Sequence, residues 1–251
     1  MRNGVTYKTS GSTALAFDLF RPASAGKEQR LPVFVIFKGF GGSFMRNSPQ
    51  ARGWAGIAAA HGFAAVTMET TSGHVAEDFD SFVGYLRERA AELQLDPEQI
   101  AVIAWSGNAG IGLETVEDLA CTPVKAAVIY YGGSVVPHLR LDLPVFLVRA
   151  GLDGPSINVT MNQAIAAAIP ANAPWTVLNY PAPARLSKRL SNSCGMLFPR
   201  VTKKPCGSVS RRRRLPRRFQ PVTIRPTASL YAAIVESHSQ DAPSLLAYGR
   251  F

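Results

Sequence analysis

The chain has 251 residues, of which 47% are hydrophobic and 18% are charged. This length and composition suit one large α/β domain or two small ones, and they exclude collagen, a coiled coil and a chain disordered throughout. The net charge of +10 would suggest a nucleic acid or an anionic surface as partner. However, 13 of the 27 Lys and Arg residues lie in residues 182–226, which contain no Asp or Glu. Outside this basic segment, 14 basic and 17 acidic residues remain, as in an ordinary globular domain.

Three features of the sequence bear on where the protein works. No apolar run reaches the roughly 18 to 20 residues that a membrane-spanning helix needs. Residues 1–17 lack the continuous hydrophobic stretch of a secretory signal. The three cysteines, Cys121, Cys194 and Cys206, are odd in number and far apart, which argues against a disulfide framework. We therefore expect a cytoplasmic protein without a membrane segment.

Hydrophobic patterns predict strands that alternate with helices. Short apolar runs rich in β-branched and aromatic residues predict strands over residues 5–8, 14–20, 31–37, 63–68, 100–105, 125–131, 144–150 and 175–180. Helical spacing predicts helices over residues 51–61, 75–93, 109–119 and 156–169. A turn is predicted at Asp96 and Pro97. The alternation favours a mainly parallel sheet with right-handed crossovers, with the first two strands as an antiparallel edge.

Ser106 lies where a predicted strand runs directly into a predicted helix, in the sequence Ala-Trp-Ser-Gly-Asn, which we call the Ser106 turn (residues 104–108). Such a turn strains the residue at its tip, exposes its side chain and points the next N–H into the same space. Strand and helix approach closely there, so the residues two positions either side should be small. Ala104 meets this requirement, whereas Asn108 is larger than the usual glycine. A Ser-Gly-Asn turn is also typical of a helix cap, so the motif alone leaves both interpretations open.

Two further elements favour acyl-transfer chemistry. Gly39 and Phe40 belong to a glycine-rich loop directly after a predicted central strand, where a second oxyanion donor would be found beside the Gly107 N–H. Glycine-rich loops also bind phosphate, but neither the dinucleotide-binding fingerprint nor the Gly-Lys-Ser/Thr ending is present. Asp153 follows the predicted strand 144–150. It is placed to orient an imidazole, or alternatively to open a turn in the sequence Asp-Gly-Pro.

Together these motifs resemble the dienelactone-hydrolase-like branch of the α/β-hydrolases, over roughly residues 14–180. The similarity rests on residues 38–42, 54–69, the Ser106 turn and 149–153, with Pro155 and Asn158. The resemblance implies an α/β-hydrolase fold and a Ser-His-Asp hydrolase that cleaves small-molecule esters or lactones without a metal or cofactor. It implies Ser106 as nucleophile, Asp153 as the acid, and Gly39, Phe40 and Gly107 as the oxyanion hole. Dienelactone hydrolases proper carry a cysteine nucleophile, so the serine indicates general carboxylesterase chemistry.

One element of that pattern is missing. The resemblance implies a histidine in the loop after the strand 175–180, but residues 181–186 contain none. The four histidines of the chain are His61, His74, His138 and His238. We expect His61 at a helix end and His74 and His138 in surface loops. Only His238 follows Asp153, and we favour an exposed helix position for it over the role of general base. The chain as written should then be weakly active or inactive, since serine without a base is a poor nucleophile.

Two interpretations of the basic segment remain open. The first is a shifted reading frame, because the segment lacks acids and periodicity and begins where the histidine is missing. Ala184, Arg185 and Leu186 can be encoded GCA CGC CTT, which reads His-Ala-Phe one base later if a T follows. The second is a disordered arm that binds nucleic acid or an acidic partner. Only Phe198 and Phe219 interleave with its basic residues, so stacking platforms for bases are few.

These observations divide the chain into three parts. Residues 1–181 form the expected α/β-hydrolase core. Residues 182–226 are the basic segment, which we expect to be disordered. Residues 227–251 recover a balanced composition with helical spacing and predict a short helical piece. Three functional classes remain open: a serine hydrolase, an inactive protein with the hydrolase fold, and a protein that binds nucleic acid or an acidic partner through the basic segment.

Overall fold

Eight strands form one mixed sheet in the part of the chain that the computed structural model describes, residues 1–26, 29–37, 44, 46–118, 123–134 and 138–181. The strands are β1 (Arg2–Ser10), β2 (Thr13–Phe20), β3 (Leu31–Ile36), β4 (Ala64–Met68), β5 (Leu95–Trp105), β6 (Val124–Tyr130), β7 (Val145–Ala150) and β8 (Trp175–Tyr180). Their order across the sheet is β1-β2-β4-β3-β5-β6-β7-β8. β2 runs antiparallel to both of its neighbours, and all pairs from β4 to β8 are parallel. The predicted parallel sheet with an antiparallel edge is confirmed.

Five α-helices connect the strands within the described ranges. They are α1 (Pro49–Ala60), α2 (Val75–Glu88), α3 (Ala90–Leu93), α4 (Ala109–Glu117) and α5 (Pro155–Ala168), and a single 3₁₀ turn, Ser106–Asn108, precedes α4. The predicted helix over residues 75–93 is thus two helices, which meet at Arg89. The other predicted helices differ from the observed ones by one or two residues at their ends.

The central strands of the sheet are buried on both faces, as the continuous apolar run of β3 predicts. Val33 and Val35 point into one hydrophobic core and Phe34 and Ile36 into the other, and none of the four is exposed. The first core is closed by α2, α4 and α5. The second is closed by α1, whose Trp54 packs with Tyr130 at the end of β6. The central strands are therefore held rigidly between two helical layers.

The predicted turn at Asp96 and Pro97 is wrong as a boundary, because β5 already begins at Leu95. Pro32 pairs with Asp96 and the next residue, Val33, pairs with Ile100, so three residues of β5 form a bulge. The Asp96 carboxylate accepts the N–H of Glu98 at 3.1 Å, which closes this bulge locally. Turn-forming residues here bend a strand without ending it, because β3 continues to pair on either side.

Helix α4 and strand β5 approach each other closely beyond the Ser106 turn. A Cβ added to Gly112 would lie 2.4 Å from the Cβ of Ala104 and 3.3 Å from the ring of Phe37. The predicted close approach of strand and helix explains why the residue at position 104 is small. The small residue that faces Ala104 from the helix is Gly112. Asn108 occupies the position where the sequence pattern predicts a small residue, and it is buried.

We predict that Gly112→Ala lowers the free energy of unfolding by about 1–3 kcal/mol, because the new methyl group overpacks the contact between α4 and β5. The matched control is Gly56→Ala in α1, where no heavy atom lies within 4 Å of an added Cβ. This control should gain about 0.5–1 kcal/mol, as is usual for glycine to alanine within a helix. Urea unfolding of the full chain followed by circular dichroism measures both. Equal shifts in the two variants would contradict the close approach.

Candidate active site

Three adjacent parallel strands carry polar side chains to one edge of the sheet. Ser106 directly follows β5, Tyr131 directly follows β6, and Asp153 lies three residues beyond the end of β7. The carboxyl ends of parallel strands meet at the same edge, where open α/β sheets bind their ligands. Ser106 and Asp153, which were predicted from sequence, are therefore separated by the single strand β6. Tyr131, which was not predicted, lies between them.

Ser106 adopts the strained conformation that the predicted turn requires. Its φ is +58°, whereas Trp105 before it is still extended and Ala109 after it is already helical. The left-handed region is unfavourable for a residue with a side chain, by roughly 1–2 kcal/mol. Such strain persists only where the surrounding structure maintains it, and it is concentrated at functional sites.

The turn after β6 maintains the Ser106 conformation. The Ser106 N–H donates to the Tyr131 carbonyl at 2.8 Å. Gly132 has a φ of +125°, and a Cβ there would lie 2.2 Å from the Ser106 carbonyl oxygen and 2.8 Å from the Cβ of Ala109. Only glycine fits at position 132, since any side chain would displace Ser106 or the start of α4.

Of the three residues predicted to form an oxyanion hole, the structure describes Gly107. Gly107 is exposed, and no heavy atom lies within 4 Å of a Cβ built on it, so its backbone borders open space beside Ser106. Gly39 and Phe40, the other two predicted contributors, lie outside the described residues. A developing oxyanion needs a backbone N–H donor beside the nucleophile, and the exposed position of Gly107 next to Ser106 is compatible with that role.

Arg46 ties down the chain shortly after the glycine-rich loop. Its guanidinium donates to the carboxylate of Asp18 on β2, and its Nε donates to Glu69 at 3.0 Å. Both carboxylates are buried, and each also accepts a backbone N–H, from Gly4 at 2.8 Å and from Ala16 at 2.9 Å. Removing Arg46 would leave two buried charges without a counter-charge, which typically costs 3–5 kcal/mol for a broken buried pair.

The structure shows Asp153 in the second of its two predicted roles, the opening of a turn. Its Oδ1 accepts the N–H of Gly154 at 3.0 Å, which opens the turn into α5. The Asn158 side chain holds the same loop by donating to the carbonyls of Gly151 and Asp153, at 3.3 and 3.2 Å. The carboxylate is half-buried and therefore stays in contact with the space at the edge of the sheet.

Tyr131 and Gln50 are the site residues that sequence reasoning missed. The indole N–H of Trp105 donates to Gln50 Oε1 at 3.0 Å. Burial raises the pKa of the Tyr131 phenol, and the negative charge of Asp153 raises it further, while hydrogen bonding from Gln50 and Ser106 opposes the shift. The one available signal was the position of Tyr131 at the end of the predicted strand 125–131, directly before Gly132 and Gly133.

The three histidines in the described ranges lie on the surface. His61 follows the end of α1, and His74 precedes α2, where its Nδ1 lies 3.2 Å from Glu77. His138 is also exposed. These positions agree with the sequence prediction, and no hydrogen bond joins any of the three to Ser106 or Asp153. His238 lies outside the described residues.

Nowhere in the described ranges do three or more His, Cys, Asp or Glu side chains gather in a way that would hold a metal ion. None of the helices described is both long enough and apolar enough to cross a membrane.

The fold is shared with esterases of known structure. No protein-family model and no curated protein matches this sequence. Esterase 2 of Thermogutta terrifontis phosphoramylated by tabun is 19% identical and superposes with a TM-score of 0.59, over 76% of this chain and 90% of the esterase. The propionate-bound form of that esterase is 17% identical, with a TM-score of 0.58 over 77% and 92% of the two chains.

A further solved structure extends this comparison. MGS-M1, an α/β hydrolase enzyme from a Medee basin deep-sea metagenome library, is 18% identical, with a TM-score of 0.57 over 70% of this chain and 79% of that chain. At these identities the likeness concerns the fold. The chain therefore has the α/β-hydrolase fold.

We predict that Gly132→Ala lowers the free energy of unfolding by about 2 kcal/mol or more, because the added Cβ collides with the Ser106 carbonyl in a backbone conformation that alanine rarely adopts. Gly107→Ala is the control, because it is adjacent to the same serine, keeps its N–H and meets no atom within 4 Å. It should stay within about 0.5 kcal/mol of the wild type. Urea unfolding distinguishes the two, and a Gly132→Ala protein as stable as the control would contradict the described turn.

Proposed function

We propose that this chain is a serine hydrolase that cleaves carboxylic ester or lactone bonds, with Ser106 as its nucleophile and Asp153 as the acid of a Ser-His-Asp-type mechanism. The observation that carries the proposal is the left-handed backbone of Ser106 between β5 and α4, at the carboxyl edge of the sheet. A helix cap has no need of this strain, whereas an exposed nucleophile depends on it.

In this mechanism the Ser106 Oγ attacks the carbonyl carbon while its proton passes to a base. The Gly107 N–H and a backbone N–H from Gly39 or Phe40 stabilise the oxyanion, with each donor contributing about 3–4 kcal/mol. The carbon–oxygen bond to the alcohol then breaks and the alcohol leaves with the proton. Water attacks the acyl-Ser106 ester next, releases the acid and returns the proton to Ser106. Asp153 orients the imidazole that carries the proton and stabilises its cationic form.

The solved relatives in fold support ester cleavage as the reaction class. One structure of Thermogutta terrifontis esterase 2 is phosphoramylated by tabun, and another has propionate bound. Our proposal extends this class of small-molecule substrate to the present chain. The serine at position 106 favours general carboxylesterase chemistry within a dienelactone-hydrolase-like framework.

The general base is the weak element of the proposed mechanism. The loop that should supply it begins at residue 181 and contains no histidine, and His238 lies far beyond it in the sequence. We propose that the histidine was lost when the reading frame shifted at residues 182–226, so that the chain as written is impaired. Sequencing the gene and that of a close relative across this stretch tests the origin, and an intact frame in both would refute it.

Labelling by a fluorophosphonate probe tests the nucleophile directly. We expect slow, stoichiometric labelling of Ser106, located by mass spectrometry of the digested protein. Ser106→Ala should abolish it, while Ser210, in the basic segment, should remain unlabelled in both proteins. A folded wild-type chain that resists the probe even with added imidazole would instead be an inactive protein with the hydrolase fold.

Added imidazole should rescue turnover of p-nitrophenyl acetate, because it supplies the missing base at a site that still holds Asp153. General-base catalysis typically contributes 10²–10⁴-fold, so a rescue of at least about tenfold is a modest expectation for a freely diffusing base. The Ser106-dependent rate is the difference between wild type and Ser106→Ala at each imidazole concentration. This Ser106-dependent rate should increase with pH, because imidazole loses its proton near neutrality and only the neutral form acts as a base.

Asp153→Asn provides the matched test of the acid. It should reduce the rescue several-fold, because the amide no longer stabilises the imidazolium, and leave the slow reaction without imidazole nearly unchanged. Brisk Ser106-dependent turnover without imidazole would show that a histidine of the chain already acts as the base. Loss of that turnover in His238→Ala would then identify His238, the histidine after Asp153, as the base.

A further inference from the structure

Strand β8 forms one edge of the sheet in the described part of the chain. Its middle residues, 176–179, are all exposed, and Val177 and Leu178 among them are 41% and 38% exposed. Val177 lies beside Leu147 of the first hydrophobic core, and Leu178 lies beside Val148 of the second. Adjacent residues of a strand point to opposite faces. β8 therefore presents an exposed apolar side chain on each face of the sheet.

The backbone of β8 also directs hydrogen-bonding groups out of the sheet. The carbonyl of Tyr180 points inwards, because it accepts the N–H of Gly151 at 2.6 Å. The carbonyl of Pro174 likewise accepts an N–H from β7, at 3.3 Å. The side to which N–H and C=O point alternates along a strand, so Val177 and Asn179 direct theirs away from β7. A row of such groups at an edge is a template for another strand.

The opposite edge of the sheet, β1, is protected against such pairing. The register of β1 with β2 shifts twice along the strand, and β1 carries Arg2, Lys8 and a glycine, Gly4, with a φ of +64°. Bulges and charged side chains are common devices that keep edge strands from pairing with other chains. β8 has none of these devices. It pairs with β7 without a shift over six residues and contains no charge, proline or glycine.

The surface around β8 has the composition of an interface. The 28 residues 154–181 contain no charged side chain, whereas about a quarter of the residues in an average domain are charged. Four of them are buried, all in α5, and the remaining 24 are at least partly exposed. They include Val159 and Ile169, which are 54% and 73% exposed. Standard interfaces use about 20–30 residues from each partner, so this uncharged surface is large enough for one.

We propose that β8 is a dimer interface, at which it pairs antiparallel with β8 of a second copy of this chain. The two-fold axis passes through Val177 or Leu178. Both registers place outward-pointing backbone groups of one copy opposite outward-pointing groups of the other. A register shifted by one residue would place outward-pointing groups opposite inward-pointing ones and lose these bonds. The two eight-stranded sheets then form one continuous sheet.

Charge favours a second copy over the chain's own basic segment as the occupant of this edge. Residues 182–226 carry 13 Lys and Arg, and residues 154–181 offer them no carboxylate. An identical uncharged strand matches β8 without any unpaired charge. Antiparallel pairing also separates the two basic segments, because residue 181 of each copy lies at least six residues from its equivalent along the paired strands. This is roughly 20 Å, about twice the Debye length at physiological salt, so their repulsion is largely screened.

Sedimentation of the full chain tests the dimer, in about 0.5 M NaCl to suppress bridging by nucleic acid bound to the basic segment. We expect a monomer–dimer equilibrium. Val177→Lys should raise the dissociation constant about tenfold or more, because it places a charge within an uncharged edge pairing. Thr9→Lys is the matched control, because it adds the same charge at an exposed position of the opposite edge strand, β1, and should leave the dissociation constant unchanged. Circular dichroism shows whether both variants are folded.

Single cysteines test the pairing itself, in a full chain whose three native cysteines are replaced by serine. The residue on the two-fold axis faces its own equivalent at about 4.5–5.5 Å between Cα atoms, within the range of a disulfide. Mild oxidation should therefore link the dimer through either Val177→Cys or Leu178→Cys, whichever lies on the axis. Thr176→Cys and Asn179→Cys should not link it, because their equivalents are at least two residues apart along the strands, or roughly 8 Å.

The other outcomes would overturn the proposal. A chain that sediments as a monomer at every concentration would show that the edge is free or is covered by another part of the chain. A dimer that Val177→Lys leaves unchanged, or equal disulfide formation at all four positions, would place the contact on another surface. Assemblies that grow beyond the dimer would refute the closed two-fold pairing. None of these results bears on the proposed hydrolase activity, on which this interface does not depend.

Discussion

The architecture depends on one local constraint, the left-handed backbone of Ser106 held between a strand and a helix. Three close approaches enforce it: the Ser106 N–H to the Tyr131 carbonyl, Gly132 against the Ser106 carbonyl, and Gly112 against Ala104. Each requires a small residue or a backbone group at a defined place. The strain of one residue is thereby distributed over β5, β6 and α4, whose central side chains are buried.

The two hydrophobic cores convert this local constraint into a rigid platform. Because β3 and β5 are buried on both faces, their carboxyl ends cannot move without disturbing two layers of packing. Arg46 adds an electrostatic tie at the same end of the molecule, through the buried carboxylates of Asp18 and Glu69. The side chains after β5, β6 and β7 are therefore presented from fixed positions, as preorganised acyl-transfer chemistry needs.

The lack of a histidine in residues 181–186, directly after β8, separates the fold of this chain from its proposed chemistry. The packing of the described residues does not depend on that histidine, because functional residues are commonly supplied by loops on a rigid scaffold. A hydrolase fold can therefore remain intact while the catalytic machinery is incomplete. Under the proposed function, the deficiency lies in the base that Asp153 would orient.

The sequence by itself determined most of the elements and the choice of Ser106 and Asp153 as candidate site residues. Buried parallel strands appear as continuous apolar runs, such as residues 31–37, because both faces must be hydrophobic. Ser106 and Asp153 could be selected because each follows such a strand, and strand ends in a parallel sheet share an edge. Only tertiary structure decided that Asp96 pairs within β5 and that Pro97 begins a bulge, since pairing with β3 overrides the local turn preference.

Tertiary structure likewise decided the role of Gly112, the contact of Gln50 with Trp105, and the backbone hydrogen bond between Ser106 and Tyr131. Gly112 lies eight residues from Ala104 in the sequence, and only the packing of α4 on β5 makes it the required small residue. Gln50 meets Trp105 from a distant helix, and no local pattern marks a hydrogen bond between residues 55 positions apart. Periodicity reports which face of an element is apolar, whereas contacts between polar side chains depend on how the elements are placed against each other.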